Sequence, residues 1–324
     1  KAVSLEDSGA PGDHAPAPPP AFRDALQAVE GGGEVLVPGP TDAKIFQTAP
    51  INLTSNVVLR VEGTMRAVED KSKFPVIDVL PSVGHDYDTN GPTRYHPFVF
   101  AVDGSNISIA GGGIIDGAGA FWWSRDSRHE NHGIGRPHLL ELHNISGAEV
   151  TGVTLLDSAF WTFHPVYCTD LHIHHMKIQV PWGVMPFCPS ALHHKYSAHE
   201  CWLSNLSLTV AMVRASESEC CGSGFNGDGI DVDSCQNVLI EHNFINCGDD
   251  HVTILSGVGV AGQTWNNGKG MPSKNITVRD NKLGSGMGIS IGSSVSGGEE
   301  DVLYTRNYMN ETSGQWGLGI HIKT

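Results

Sequence analysis

Two short acidic segments hold the residues of this chain best suited to chemistry: Asn226-Gly227-Asp228-Gly229-Ile230-Asp231 and Gly248-Asp249-Asp250. Ile230 and Val232 precede Val252 and Ile254 by 22 residues, and the same offset sets Asp228 against Asp250. An offset of that size suits one coil of a parallel β-helix, whose stacked strands lie about 4.8 Å apart. Three carboxyl groups from neighbouring coils would then meet on one outer surface. Like charges so close raise at least one pKa, leaving a protonated acid beside ionised bases. A glycosidase needs that pairing: the acid protonates the leaving oxygen and a base directs water.

The elements that must position these residues are short strands. Brief alternating runs recur at Asn106-Ile107-Ser108-Ile109, Ala148-Glu149-Val150-Thr151-Gly152-Val153, Leu171-His172-Ile173-His174, Asn237-Val238-Leu239-Ile240, Asn275-Ile276-Thr277-Val278 and Asp301-Val302-Leu303-Tyr304. Irregular intervals, from 23 to 66 residues between starts, imply loops inserted on one face of a solenoid. The expected fold is all-β, a right-handed single-stranded parallel β-helix forming one domain over residues 1–324. Residues 11–20, rich in Pro and Ala, read as an extended lead-in. Phe22, Leu26 and Val29 recur at i, i+4 and i+7 as on a short amphipathic helix, stopped by Gly31-Gly32-Gly33, which would cap the N-terminal end of the core. Residues 1–33 thus form lead-in and cap, and 181–225 read as an inserted loop. Disulfide staples are favoured over zinc for its Cys188, Cys201, Cys220 and Cys221 with His193, His194 and His199, whose spacing fits no defined metal pattern.

Composition narrows the function classes. With 20 basic and 35 acidic residues, the net charge of −15 argues against nucleic acid and against an anionic membrane surface as partners. No apolar run approaches the eighteen or so residues of a membrane span. Asn-X-Ser/Thr sequons begin at Asn52, Asn106, Asn144, Asn205, Asn275 and Asn310. They permit glycosylation, and seven Cys suit an oxidising compartment with up to three disulfides. The expected location is therefore secreted, extracellular or in a cell wall, and the expected state a monomer.

On its motifs the chain resembles the polygalacturonase-type glycoside hydrolases of family twenty-eight, in the version found in plants and algae. The resemblance runs through Gly31-Gly32-Gly33-Glu34-Val35-Leu36-Val37-Pro38, Gly113-Ile114-Ile115-Asp116-Gly117 with Trp122-Trp123, Arg136-Pro137-His138-Leu139, and Trp161-Thr162-Phe163-His164-Pro165-Val166-Tyr167. It implies a pectin-lyase-like solenoid, a pectin-like acidic polysaccharide as substrate, inverting cleavage of α-1,4-galacturonide linkages, and no cofactor or metal. The family's Asn-Thr-Asp-Gly matches Asn226-Gly227-Asp228-Gly229 and its Gly-Asp-Asp matches Gly248-Asp249-Asp250. The resemblance makes Asp249 the general acid, with Asp228 and Asp250 activating water across roughly 6.5–9.5 Å.

Three positions depart from the family pattern. Met287 stands where Gly-His-Gly has His, His321-Ile322-Lys323 replaces Arg-Ile-Lys, and His251 replaces the Cys after the two aspartates. Relatives also continue past Thr324 with further coils and an active-site Tyr. Strand parity puts Asp231, Asp233, His251, Thr253, Ser290, His321 and Lys323 on the outer face. Asn226, His251, His321 and Lys323 are the candidate substrate contacts, the last two for a sugar carboxylate. Ile230, Val232, Val252, Ile254, Ile289, Ile291, Ile320 and Ile322 form the supporting inward stack. His164 and Trp161 are expected to pack rather than touch sugar. A non-catalytic or decayed carbohydrate-binding β-helix is the alternative, with a pectate lyase behind it.

Overall fold

The structure, a computed structural model, describes residues 1–9, 13–16, 20–40, 45–83, 93–123, 134–181, 226–309 and 319–323. The expected 181–225 insertion, with its cysteines and histidines, lies outside the described residues apart from Trp182's neighbour Pro181. The chain winds as a parallel β-helix with three strand columns. Successive coils contribute, for example, Phe163–Val166, Thr169–His174 and Lys177–Gln179, then Ile230–Asp233, Gln236–Glu241 and Phe244–Asn246. The next coil supplies Asp250–Leu255, Ser273–Arg279 and Lys282–Leu283. Pairing between coils is parallel throughout, and among the described residues one antiparallel pair, Val76–Asp78 with Thr93–Tyr95, stands outside the solenoid.

Alternation decides which side chains enter the core. Ile107, Ala148, Leu171, Val238, Ile276 and Val302 stand in one register, and Ile109, Val150, Ile173, Ile240 and Val278 in the next inward one. All but Val302 are buried, at about 1.5–3 kcal/mol for each large aliphatic side chain removed from water. The second column starts at a corner that needs a left-handed residue. Asn106, Asp170, Asn237, Asn275 and Asp301 all take φ between 55° and 61° there. Asn and Asp tolerate that region better than other non-glycine residues. Their side chains also join coils: Asn237 Nδ2 donates to Asp170 Oδ1 at 2.9 Å and Asn275 Nδ2 to Asn237 Oδ1 at 2.9 Å.

Among the described residues helix is scarce. Pro20–Ala28 packs Ala21, Phe22, Ala25 and Leu26, with Val29 just beyond, into the first coils. A second helical segment, Gly259–Gly268, breaks at Trp265, Asn266 and Asn267. Ala2–Ser4 pairs with Gly33–Val37, and Asp13–Pro16 with Ile45–Thr48, so both belong to the solenoid's sheets. At the other end Ile320 and Ile322 keep the inward register opposite Ile289 and Ile291 but are 66% and 72% exposed, because no described residue stacks on them. Cys168, Cys235 and Cys247 are buried free thiols. The other four cysteines lie outside the described residues.

Candidate active site

The 22-residue offset is the register of the site: Ile230 faces Val252 and Val232 faces Ile254. These four aliphatic side chains are fully buried, and they fix the turns that precede them. Gly229 N–H donates to Asp250 O at 2.8 Å, and Gly248 N–H to Gly227 O at 2.9 Å, tying the two acidic turns together. Gly229 is required here, since a Cβ would come within 2.3 Å of His251 O. As a result Asp228, Asp249 and Asp250 each offer a carboxylate oxygen within 4.8 Å of the others. This is tighter than the 6.5–9.5 Å expectation. Asp249 and Asp250 are consecutive and Asp228 is one strand away, so strand spacing sets the separation.

The three carboxyls differ in their surroundings. Asp249 is the most open at 9% exposure, against 6% for Asp228 and 2% for Asp250. Burial and then the neighbouring Asp250 raise its pKa to about 6, while Lys323 pulls the other way. Asp228 is pushed well above the usual carboxylate range, by burial first and then by Asp249 and Asp250, and its Oδ1 has no protein partner. Asp250 is the anion of an ion pair. Lys323 Nζ donates to its Oδ2 at 2.5 Å, Ser290 Oγ donates to the same oxygen at 2.8 Å, and His321 Nε2 lies 2.9 Å from Oδ1.

Asp231 adds a fourth carboxyl, fully buried and with neither oxygen partnered. Burial, then Asp228, drives its pKa well up, so it is a neutral acid beneath the cluster. Strand parity put Asp231 on the outer face, where it is nonetheless fully buried. The same holds for His251. It is fully buried, its Nε2 lies 3.0 Å from Gly284 O, and its Nδ1 accepts the Gly288 N–H at 3.0 Å. It props the 284–288 turn instead of lining a groove. Met287 N–H in that turn donates to Asp249 O at 2.7 Å, so the position without the family's His still supports the acid through its backbone. Asn226 is half-buried beside Asp228 in the left-handed region, with φ of 53°. His321 and Lys323, expected to meet a sugar carboxylate, both turn to Asp250.

Sequence reasoning missed two supports. The Cys247 thiol, buried under the second acidic turn, lies 3.2 Å from Asp249 O and 3.3 Å from Asp250 O as donor. Tyr304 O–H donates to Ser290 O at 2.7 Å and fixes the strand whose serine holds Asp250. Tyr304 reaches the site from another strand column, whereas Cys247 sits in the acidic turn itself, two residues before Asp249. One coil upstream, His164 is buried against Glu141 and Asp233, and Trp161 packs edge-on to it at 5.0 Å.

A parallel β-helix with crowded carboxyls of unequal proton affinity defines the class: a solenoid with the acid and base groups of a glycosidase. The particular family follows from comparison, for the chain matches "Glycosyl hydrolases family 28" over residues 35–324 and belongs to that family. It is 31% identical to a probable polygalacturonase of Vitis vinifera over 314 residues, covering 93% of this chain and 53% of that protein. A polygalacturonase of Ralstonia solanacearum is 24% identical over 318 residues, covering 94% and 55%. The solved hyperthermoactive exopolygalacturonase of Thermotoga maritima superposes with a TM-score of 0.70 at 25% identity, covering 95% of this chain and 66% of that one. The chain spans about half the length of the curated relatives it matches.

Proposed function

We propose that the protein hydrolyses α-1,4-galacturonide linkages of a pectin-type polysaccharide with inversion, and that it acts outside the cell. The observation that carries this reading is the trio Asp228, Asp249 and Asp250 within 4.8 Å, one of them titrating near pH 6. Asp249, the most exposed, is the acid that protonates the leaving oxygen. Asp250 is the base. Oxygens no more than 4.8 Å apart can accept both protons of one water at about 2.8 Å each, and the unpartnered Asp228 Oδ1 is the second acceptor. Lys323 has three N–H donors and uses one on Asp250, which leaves two for a substrate carboxylate. Exposure of the sequon residues Asn52, Asn106, Asn144 and Asn275 supports secretion and glycosylation.

A second reading, a carbohydrate-binding solenoid without catalysis, is favoured by one observation. Three side chains already occupy the Asp250 oxygens. Incubation with polygalacturonic acid, rhamnogalacturonan and xylogalacturonan separates the readings. Reducing-sugar release from the first, with an inverted anomer seen by NMR at early times, is the expected outcome. A retained anomer would refute inversion, and binding without release would favour the second reading. An unsaturated product absorbing in the ultraviolet would show a lyase instead.

A further inference from the structure

On the outer face of the second strand column, Leu171 and Ile173 enter the core, and alternation turns His172 and His174 outward together. Their rings stack with centroids 3.9 Å apart at 29°. Parallel pairing brings Glu149 beside His172 from the preceding coil and Glu241 beside His174 from the following one. The contacts then cross diagonally: His174 Nε2 lies 3.1 Å from Glu149 Oε1, and His172 Nε2 lies 3.0 Å from Glu241 Oε1. Glu149, His172 and His174 each offer one ligand atom within 4.8 Å of the others.

We propose that Glu149, His172 and His174 bind a divalent transition-metal ion of the Zn²⁺ class, with Glu241 or water completing the coordination. Two imidazole nitrogens and a carboxylate oxygen suit such an ion, whereas Mg²⁺ and Ca²⁺ favour all-oxygen sites. Bonds of about 2.0–2.2 Å in a tetrahedron set donors roughly 3.4 Å apart. Rotation of these side chains closes the difference, since Glu149 and His172 are 52% and 40% exposed. Outer groups are in place as well. Thr151 Oγ1 and His175 Nδ1 lie 3.2 Å and 2.8 Å from His174 Nδ1, which leaves Nε2 to face the ion. Arg279 Nε donates to Glu241 Oε2 at 2.7 Å, which leaves Oε1 toward the site.

Two other clusters with metal-ligand residue types already hold a cation. Arg94 pairs with Glu141 beside His138 and His164, and Arg306 pairs with Asp280 through two 2.7 Å contacts beside His242. Among the described residues, no guanidinium sits on Glu149 or on either imidazole Nε2 of the proposed site. Glu149 comes from the coil before the two histidines and Glu241 from the coil after them, so an ion there clips neighbouring coils together. The clip lies on a different strand column from Asp228, Asp249 and Asp250 and does not depend on their chemistry.

The test uses the full chain, freed of metal with a chelator and dialysed at pH 7.5 against ZnCl₂ or MgCl₂. The parent should bind one more Zn²⁺ per chain than the double variant His172→Gln/His174→Gln. Zn²⁺ should raise the parent's Tm more than the variant's, and Mg²⁺ should do neither. Glu149→Gln, which leaves the core and both imidazoles intact, should bind at that site at least about tenfold more weakly. Equal Zn²⁺ stoichiometry and equal Tm shift in parent and double variant would overturn the proposal. If the double variant does not fold, parental Zn²⁺ affinity in Glu149→Gln would overturn it alone.

Discussion

Two buried polar clusters sit on neighbouring coils of one strand column and behave in opposite ways. Around Glu141, charges are matched: Arg94 clamps both carboxylate oxygens, His138 Nδ1 lies 2.8 Å away and His164 Nδ1 3.4 Å away. Burial alone would raise the Glu141 pKa, but Arg94 and the two histidines hold it well below the usual range. His164, between Glu141 and Asp233, is raised in spite of burial. Around Asp228 the carboxyls outnumber their donors. Asp228, Asp231 and Asp249 are raised by burial and then by neighbouring carboxylates, Asp250 among them in each case, and Lys323 with His321 serves Asp250. Equal burial thus yields an inert support where cations balance carboxylates, and proton-holding acids where they do not.

The largest expected effect breaks the matched cluster. Glu141→Gln leaves Arg94 buried without its counter-charge and should lower stability by about 3–5 kcal/mol in urea unfolding. A loss below about 1 kcal/mol would mean that solvent or the histidines compensate. In the crowded cluster, Asp249→Asn should keep the fold by circular dichroism yet cut turnover on polygalacturonic acid at least about 10²-fold. A near-parental rate would place the acid elsewhere.

Lys323→Met sharpens the contrast by making the crowded cluster less balanced still. Lys323 lowers the Asp249 pKa, so its removal should move the alkaline limb of turnover upward from about pH 6. An unmoved limb would show that another group sets it.

The smallest effect concerns stability against pH. A raised carboxyl binds more protons folded than unfolded, so its stabilising bias is lost as pH rises from the unfolded pKa through the folded one. For Asp249 that window runs from 3.8 to about 6. Glu141 has the opposite sign, contributing above its unfolded value of 4.5 and losing that contribution as pH falls through its lowered folded pKa. Asp231→Asn should therefore raise Tm at pH 8 while leaving it nearly unchanged at pH 4. Equal Tm shifts at both pH values would show that Asp231 gains partners which hold its charge.

Much of this was legible in the chain. Ile230, Val232, Val252 and Ile254 announced their register because a stacked core repeats apolar residues at the coil period, and Asn106, Asn237 and Asn275 marked corners that need left-handed backbone. Parity went wrong at Asp231 and His251. It tells which way a side chain leaves its strand, but not whether a neighbouring turn covers it. Tyr304 was silent because its partner, Ser290 O, comes close only by winding, and Cys247 because a thiol bonded to carbonyls two and three residues on has no sequence pattern of its own.

By itself, then, the sequence determined the β-helix, the register of the acidic turns and the three aspartates that meet, since these follow from periodicity and the fixed spacing of strands. Only the tertiary structure decided what each carboxyl is. Proton affinity depends on burial and on the charges within a few ångströms, and Lys323, His321 and Ser290 reach Asp250 from 73, 71 and 40 residues away.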